Sequence, residues 1–342
     1  MSFKSKSRVS NPAAIEKFRK SCARLPGGRT RLRASSFIYR LRARRSRAEP
    51  FTAQQELCSP IYNNQMKNQK DGAKIISSLK AFLHQRIEDI SFTDNMYYDE
   101  DFFAKSIENN FAGWYDAKAL KQQIGFILQH CKVTPNSKVL DAACGHGRHA
   151  ELLCRRGHEV LAIDISDQLI THLAEKYGHK RLLFEKRTFM EINYSQIFDL
   201  AIVLANSLGL IPRDEFVIVL NKLSRSLKKD GWLFVELDNR PHFVKHEAGK
   251  RSWNYHGDRW LVLSEHHYDS ENRLEKTVDI SVDFADMSVN QFLLTKSLYD
   301  YNELCNLLAS ANFIVRKSFG DWEGNEISEA SPSLLIAAQN RL

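Results

Sequence analysis

Val139-Leu140-Asp141-Ala142-Ala143-Cys144-Gly145-His146-Gly147-Arg148-His149-Ala150 decides how this chain is read. A short apolar run carrying one acid leads into Gly-x-Gly, and helix-forming residues follow. Glycines at such a turn let the backbone bend tightly and let a ligand approach the main chain. Asp164 stands seventeen residues after Gly147, at the end of a second apolar run, Glu159-Val160-Leu161-Ala162-Ile163. A carboxylate there can accept both hydroxyls of a ribose. Gly145-x-Gly147-x-x-Ala150 also satisfies the dinucleotide fingerprint, so the loop alone leaves the cofactor open.

Strands are expected on either side of this loop and beyond it, at 138–143, 159–164, 181–186, 198–204 and 231–237. Helical stretches lie between them near 148–156, 167–177 and 214–228. Strands alternating with helices of this length predict a parallel sheet covered on both faces. The alternation breaks after 240. Residues 259–268, 273–284 and 290–298 read as three successive extended runs, an antiparallel meander inserted into the α/β domain. A helix then starts at Asp300, whose carboxylate can cap with Glu303 three residues on. Strands at 313–319 and 333–338 bring the main sheet to seven. Upstream, Leu120, Ile124, Ile127, Leu128 and Cys131 mark one helix face, and an amphipathic helix is expected over 73–90. An aromatic segment from Tyr97 to Tyr115 separates the two and reads as lid or core packing.

The expected architecture is α/β: a doubly wound, seven-stranded, mostly parallel Rossmann-like sheet with an inserted antiparallel β cap. It divides into a basic tail and linker (1–66), N-terminal helices and lid (67–135), a cofactor-binding core (136–240), the cap (241–297) and the closing part of the sheet (298–342).

The chain has 342 residues and a formal net charge of +8, but residues 1–50 hold 15 basic side chains against only Glu16 and Glu49. The remaining residues carry −5, so the main domain gives no reason to expect nucleic-acid binding, whereas the tail could hold a polyanion. The tail reads as an unstructured, solvated arm. Its Arg- and Ser-rich, acid-poor composition also resembles an organellar transit peptide, and translation starting near Met66 would look the same. No apolar run approaches the roughly 18–20 residues of a spanning helix. Six widely spaced cysteines without a C-x-x-C pair suggest neither a disulfide framework nor structural zinc, and point to the reducing cytoplasm.

Asp141 tilts the choice of cofactor. A carboxylate beside a pyrophosphate is repulsive, whereas S-adenosyl-L-methionine carries an ammonium and a sulfonium and no phosphate. Residues 138–166 resemble motif I and the following acidic strand of the class I S-adenosylmethionine-dependent methyltransferases. Phe198-Asp199 through Leu204-Ala205-Asn206-Ser207 resembles that family's fourth strand, and Leu227-Lys228-Lys229-Asp230-Gly231-Trp232 its turn into strand five. Leu298-Tyr299-Asp300 through Ala311-Asn312-Phe313 resembles its closing helix and strand pair. The resemblance covers roughly 95–342. It implies that Asp141, Ala143, Gly145 and Gly147 line the methionine part, that Asp164 takes the ribose and that Ile165 packs on the adenine. Thr188 stands where the family often has an aspartate near the adenine amino group, with Phe189 as a stacking face or backbone donor. Ala205 also falls among the cofactor residues, and Tyr98 and Trp114 are expected to close over the site.

The acceptor is less legible. Ala205-Asn206-Ser207-Leu208 lacks the Asn/Asp-Pro-Pro-aromatic loop of enzymes that methylate exocyclic base amines, and no Pro-Cys stands there for cytosine C5. The cap resembles that of small-molecule N- and O-methyltransferases, which implies a small-molecule acceptor. Tyr255, His256 and His267 are candidates for catalysis and acceptor binding, together with Arg240 at the end of strand five. His242 and His246 have i, i+4 spacing, but Pro241, Gly249 and the missing third ligand argue against a metal. His146 and His149 vary a common Gly-x-Gly-Arg-His pattern. The alternatives are an RNA or protein methyltransferase tethered by the tail, an NAD-dependent oxidoreductase, and a non-catalytic binding or scaffold protein. Oligomeric state is not legible. Deleting residues 1–50 tests the tether, which predicts that activity and its salt sensitivity are both lost.

Overall fold

The computed structural model describes residues 117–256, 260–283 and 289–342, and their side chains except those of 254–260 and 281–292. The helix expected over 73–90 and the aromatic segment with Tyr98 and Trp114 lie outside the described residues. Within them the chain opens with α1 (Ala117–His130) and then alternates: β1 (Lys138–Ala142), α2 (Arg148–Arg155), β2 (Glu159–Asp164), α3 (Asp167–Tyr177), β3 (Leu182–Lys186), β4 (Phe198–Val203), α4 (Arg213–Ser226) and β5 (Leu227–Asp238). A short helix, α5 (Arg240–His246), leads into β6 (Arg251–His256), β7 (Trp260–Asp269), β8 (Leu274–Asp283) and β9 (Val289–Ser297). The chain closes with α6 (Tyr301–Ser310), β10 (Phe313–Phe319) and β11 (Ser333–Asn340).

The main sheet has the order β10-β11-β5-β4-β1-β2-β3, with β11 antiparallel to both β5 and β10. Its central strands are mostly apolar and buried because helices cover both faces. Phe216 and Leu220 of α4 and Leu304 and Leu308 of α6 bury one face. Ile124 and Ile127 of α1, Leu153 of α2 and Leu173 of α3 bury the other. From β1 the chain runs outward to β2 and β3, then crosses back to β4 on the other side of β1. That reversal opens a crevice at the carboxyl ends of β1 and β4, where open α/β sheets hold their ligands.

The cap is a four-stranded antiparallel sheet, β6-β7-β8-β9, one strand more than the sequence suggested. The added strand, Arg251-Ser252-Trp253-Asn254-Tyr255-His256, pairs only with β7 and leaves Arg251 and Trp253 exposed. Trp253 and Tyr255 alternate with Ser252 and Asn254 over too few residues to mark a strand by themselves. α5 is helical despite Pro241, because proline sits in the first turn, where no intrahelical N–H bond is lost. β5 also starts earlier than expected, at Leu227, with a register shift before Trp232 pairs with Leu200.

Ionic contacts seat the cap on the core. Lys296 of β9 lies 2.8 Å from Asp238 at the tip of β5 and 2.7 Å from Glu275 of β8. Burial works against its charge, but the two carboxylates outweigh it and raise its pKa. Arg273, in the β7–β8 turn, reaches Glu303 of α6 at 2.9 Å. Lys296→Met leaves two carboxylates facing one another without their cation. It is expected to lower unfolding free energy by about 3 kcal/mol, measured by urea denaturation of the full chain.

Candidate functional site

The turn after β1 is built from three left-handed residues, Ala143, Gly145 and Gly147, with φ of 64°, 51° and 66°. A Cβ at Gly147 would meet Phe184 at 3.0 Å and Leu173 at 3.1 Å, so this glycine lets the loop pack close on β3 and α3. At Gly145 a Cβ would meet nothing within 4 Å among the described residues, which leaves that side of the turn open to them. Asp164 braces the turn from the end of β2: Gly145 N–H donates to its Oδ2 at 2.9 Å and Ser166 N–H to its Oδ1 at 3.1 Å. Each oxygen keeps a further lone pair for a ligand hydroxyl.

Asp141 lies behind the same turn, 3% exposed, and its Oδ2 has no hydrogen-bond partner among the described residues. Its pKa is pushed up to about 7, first by burial and then by the field of Asp164, against the Ala150 amide in the first turn of α2. Burial raises Asp164 as well. Two buried carboxylates, one with an unanswered oxygen, fit a ligand that brings positive charge and hydroxyl donors. They do not fit a pyrophosphate. His146 and His149, beside the loop, are lowered to about 4 by burial and by Arg148, so both imidazoles are neutral at pH 7. His149 Nε2 lies 3.0 Å from Gln123 Oε1 and ties the loop to α1.

The β4 turn leaves the sheet next to this loop, because Asp141 pairs in register with Ile202. Ala205 and Asn206 are both left-handed, with φ of 52° and 60°. Side chains from β5 hold them. Ala205 N–H donates to Glu236 Oε2 at 2.8 Å, and Asn206 Nδ2 donates to Asp238 Oδ2 at 2.7 Å. Sequence reasoning passed over Glu236, Asp238 and Lys296.

The other expected residues scatter. Ile165 is half-buried between Asp164 and Ser166. Phe189 packs against the core from a short 3-10 turn, and Thr188 caps that turn, its hydroxyl donating to Glu191 Oε2 at 3.0 Å. Arg240 stands at the start of α5 and is engaged by acids. It fastens α5 to α6 through Asp300 and through Glu303 at 3.1 Å. His267 is 52% exposed and lies 3.2 Å from Glu265. Its neighbour His266 takes the inner position, 3.0 Å from Thr277 Oγ1 and 3.4 Å from Glu275 Oε1, on the face that carries Lys296. Tyr255 and His256 sit on β6, and their side chains lie outside the described ones. His242 and His246 pack with ring centroids 4.7 Å apart and planes tilted by 34°, and no group of three metal-ligating side chains forms among the described residues. No described helix is long and apolar enough to cross a membrane.

A sequence profile of the methyltransferase-domain family matches residues 139–231. Glycine N-methyltransferase of Homo sapiens is 25% identical over 140 residues, which cover 35% of this chain and 46% of that protein. The chain spans just under half the length of the curated relatives it matches. An S-adenosylmethionine-dependent methyltransferase of Clostridium acetobutylicum superposes with a TM-score of 0.59 at 16% identity, over 70% of this chain and 98% of that one. The S-adenosylmethionine-bound amino pentose methyltransferase CalS10 of Micromonospora echinaspora gives 0.55 at 16% identity, over 69% and 96%. At these identities the structural likeness is one of fold.

Asp141 makes its own mark on stability. The unfolded chain loses this proton near the ordinary value of 3.8, whereas the folded chain keeps it up to about 7. The stabilisation from the retained proton is therefore full at low pH and declines as pH rises through that window. Other raised carboxyls and lowered histidines also contribute, so the difference between proteins is the readout. Asp141→Asn should gain about 2–3 kcal/mol relative to the parent chain between pH 5 and pH 8, measured by denaturant unfolding without ligand.

Proposed function

Because the chain carries a methyltransferase domain over residues 139–231 and has the class I S-adenosylmethionine-dependent methyltransferase fold, we propose that it methylates a small-molecule acceptor, at nitrogen or oxygen. The acceptor would lie between the carboxyl edge of β4 and β5 and the inner face of the cap. The observation that carries this reading is the buried pair Asp141 and Asp164 around one glycine turn, with Asp141 Oδ2 unanswered. When bound, S-adenosylmethionine supplies a methyl group already activated on a sulfonium.

The chain's own residues then have three tasks. Asp164 receives ribose hydroxyls on lone pairs that its two backbone partners leave free. Asp141 holds positive charge near the open side of Gly145, and Ala143, Gly145, Gly147 and Ala205 offer main chain along the same wall. Ile165 and Phe189 give apolar surface for a base, and Thr188, engaged with Glu191, contributes its position more than a free hydroxyl. The cap keeps water from the transfer and aligns the acceptor, and proximity and orientation dominate this chemistry. A general base is required only for an acceptor that arrives protonated. The small-molecule assignment draws support from the glycine and amino pentose enzymes to which the chain is similar.

Isothermal titration of the full chain with S-adenosylhomocysteine tests the reading. One-to-one binding is expected, weakened at least about ten-fold by Asp164→Ala and absent for NAD. Below about pH 7 binding should release a proton from Asp141, seen by titrating in buffers of different ionisation enthalpy. No binding by the folded chain, or binding of NAD instead, contradicts the proposal.

A further inference from the structure

Glu236 is a carboxylate that the transfer itself does not use, and its surroundings are unusual. Oε2 accepts the Ala205 N–H at 2.8 Å, and Oε1 accepts the Trp322 indole N–H at 3.1 Å. The backbone carbonyl of Glu236 accepts the Asn206 N–H at 3.2 Å. One residue of β5 thus holds both left-handed residues of the β4 turn. Non-glycine residues occupy that conformation at a cost, and they stay there only when their surroundings over-determine it. Trp322 is fixed in turn. It stacks on Phe234 at 5.7 Å and 27°, and meets the edge of Phe126 at 5.7 Å and 74°.

We infer that Glu236 and Trp322 are positioning residues for the cofactor, acting through Ala205 without touching the ligand. The inference rests on the proposed function and adds residues that no sequence motif marks. The chemistry accounts for the acid. Both side-chain oxygens face N–H donors, so a carboxylate can answer both, whereas a glutamine must turn its own NH₂ toward one of them. Losing the Ala205 bond frees that residue to relax out of the left-handed region, and the main chain it presents beside the glycine loop moves with it.

Titration of the full chain with S-adenosylhomocysteine, with thermal unfolding as the fold control, separates this role from general support. Glu236→Met, which has no oxygen to offer either donor, should weaken binding about ten-fold. Trp322→Phe, which keeps the Ala205 bond, should cost about two- to three-fold. Adding Ala205→Gly to Glu236→Met should recover most of the loss, since glycine takes a positive φ without strain. A direct contact between Glu236 and the ligand, or mere support of the fold, would not be rescued that way. If Glu236→Met binds like the parent chain, or if the double variant is no better than the single one, the inference is overturned. If the parent chain does not bind at all, the cofactor reading falls and this inference falls with it. Should Glu236→Met not fold, amide exchange at Ala205 in the parent chain decides. Slowing on ligand binding is expected, and unchanged exchange overturns the inference.

Discussion

The hydrogen bond from Gly145 N–H to Asp164 ties the first two strands of the sheet together at the point where the site is built. It fixes the glycine turn and brings the Asp164 carboxylate close enough to Asp141 for the two fields to add. Both groups are buried, and burial is the larger part of what raises Asp141. An arrangement that buries two acids behind one turn, and holds one of them protonated up to about pH 7, is costly for a fold that uses it only for support. It fits the proposed role of Asp141 and Asp164 in receiving a ligand that brings positive charge and hydroxyl donors. The strand order supplies the location, since β1 sits where the direction of winding reverses.

The same logic extends across the crevice. β5 sends Glu236 and Asp238 to the β4 turn, and Asp238 hands on to Lys296 and through it to Glu275 and His266 in the cap. Hydrogen bonds and ion pairs therefore run without a break from the β4 turn to the inner face of the cap. Glu275 stays ionised despite burial, because His266, Lys296 and Thr277 outweigh the desolvation that opposes it. The cap is seated by charge as well as by its short connections to the core, with Arg273 and Glu303 as a second point of attachment.

Much of this was legible in the sequence, for identifiable reasons. The central strands announced themselves as short apolar runs because both of their faces are covered. Asp141 and Asp164 stood out because acids are rare at the ends of such runs. β6 stayed hidden because its alternation spans too few residues to mark a strand. His267 lies at an exposed position of β7. It is in phase with Leu261 and Leu263, and amphipathic parity would turn that side inward, yet the polar side with Ser264 and His266 faces α5 and Lys296. The ion pairs of Arg240 were not legible, because Asp300 and Glu303 lie sixty residues and more further on in the chain. Glu236 and Trp322 gave no local signal, because their link spans 86 positions and exists only once β5 and the segment after β10 are folded together.

The most direct test of the account is a crystal structure of the full chain with S-adenosylhomocysteine. The account predicts the ligand's charged amino-acid end within hydrogen-bond reach of Asp141 Oδ2, and its ribose hydroxyls on Asp164 with the Gly145 bond retained. A ligand bound elsewhere, or one that leaves Asp141 Oδ2 still without a partner, would contradict it.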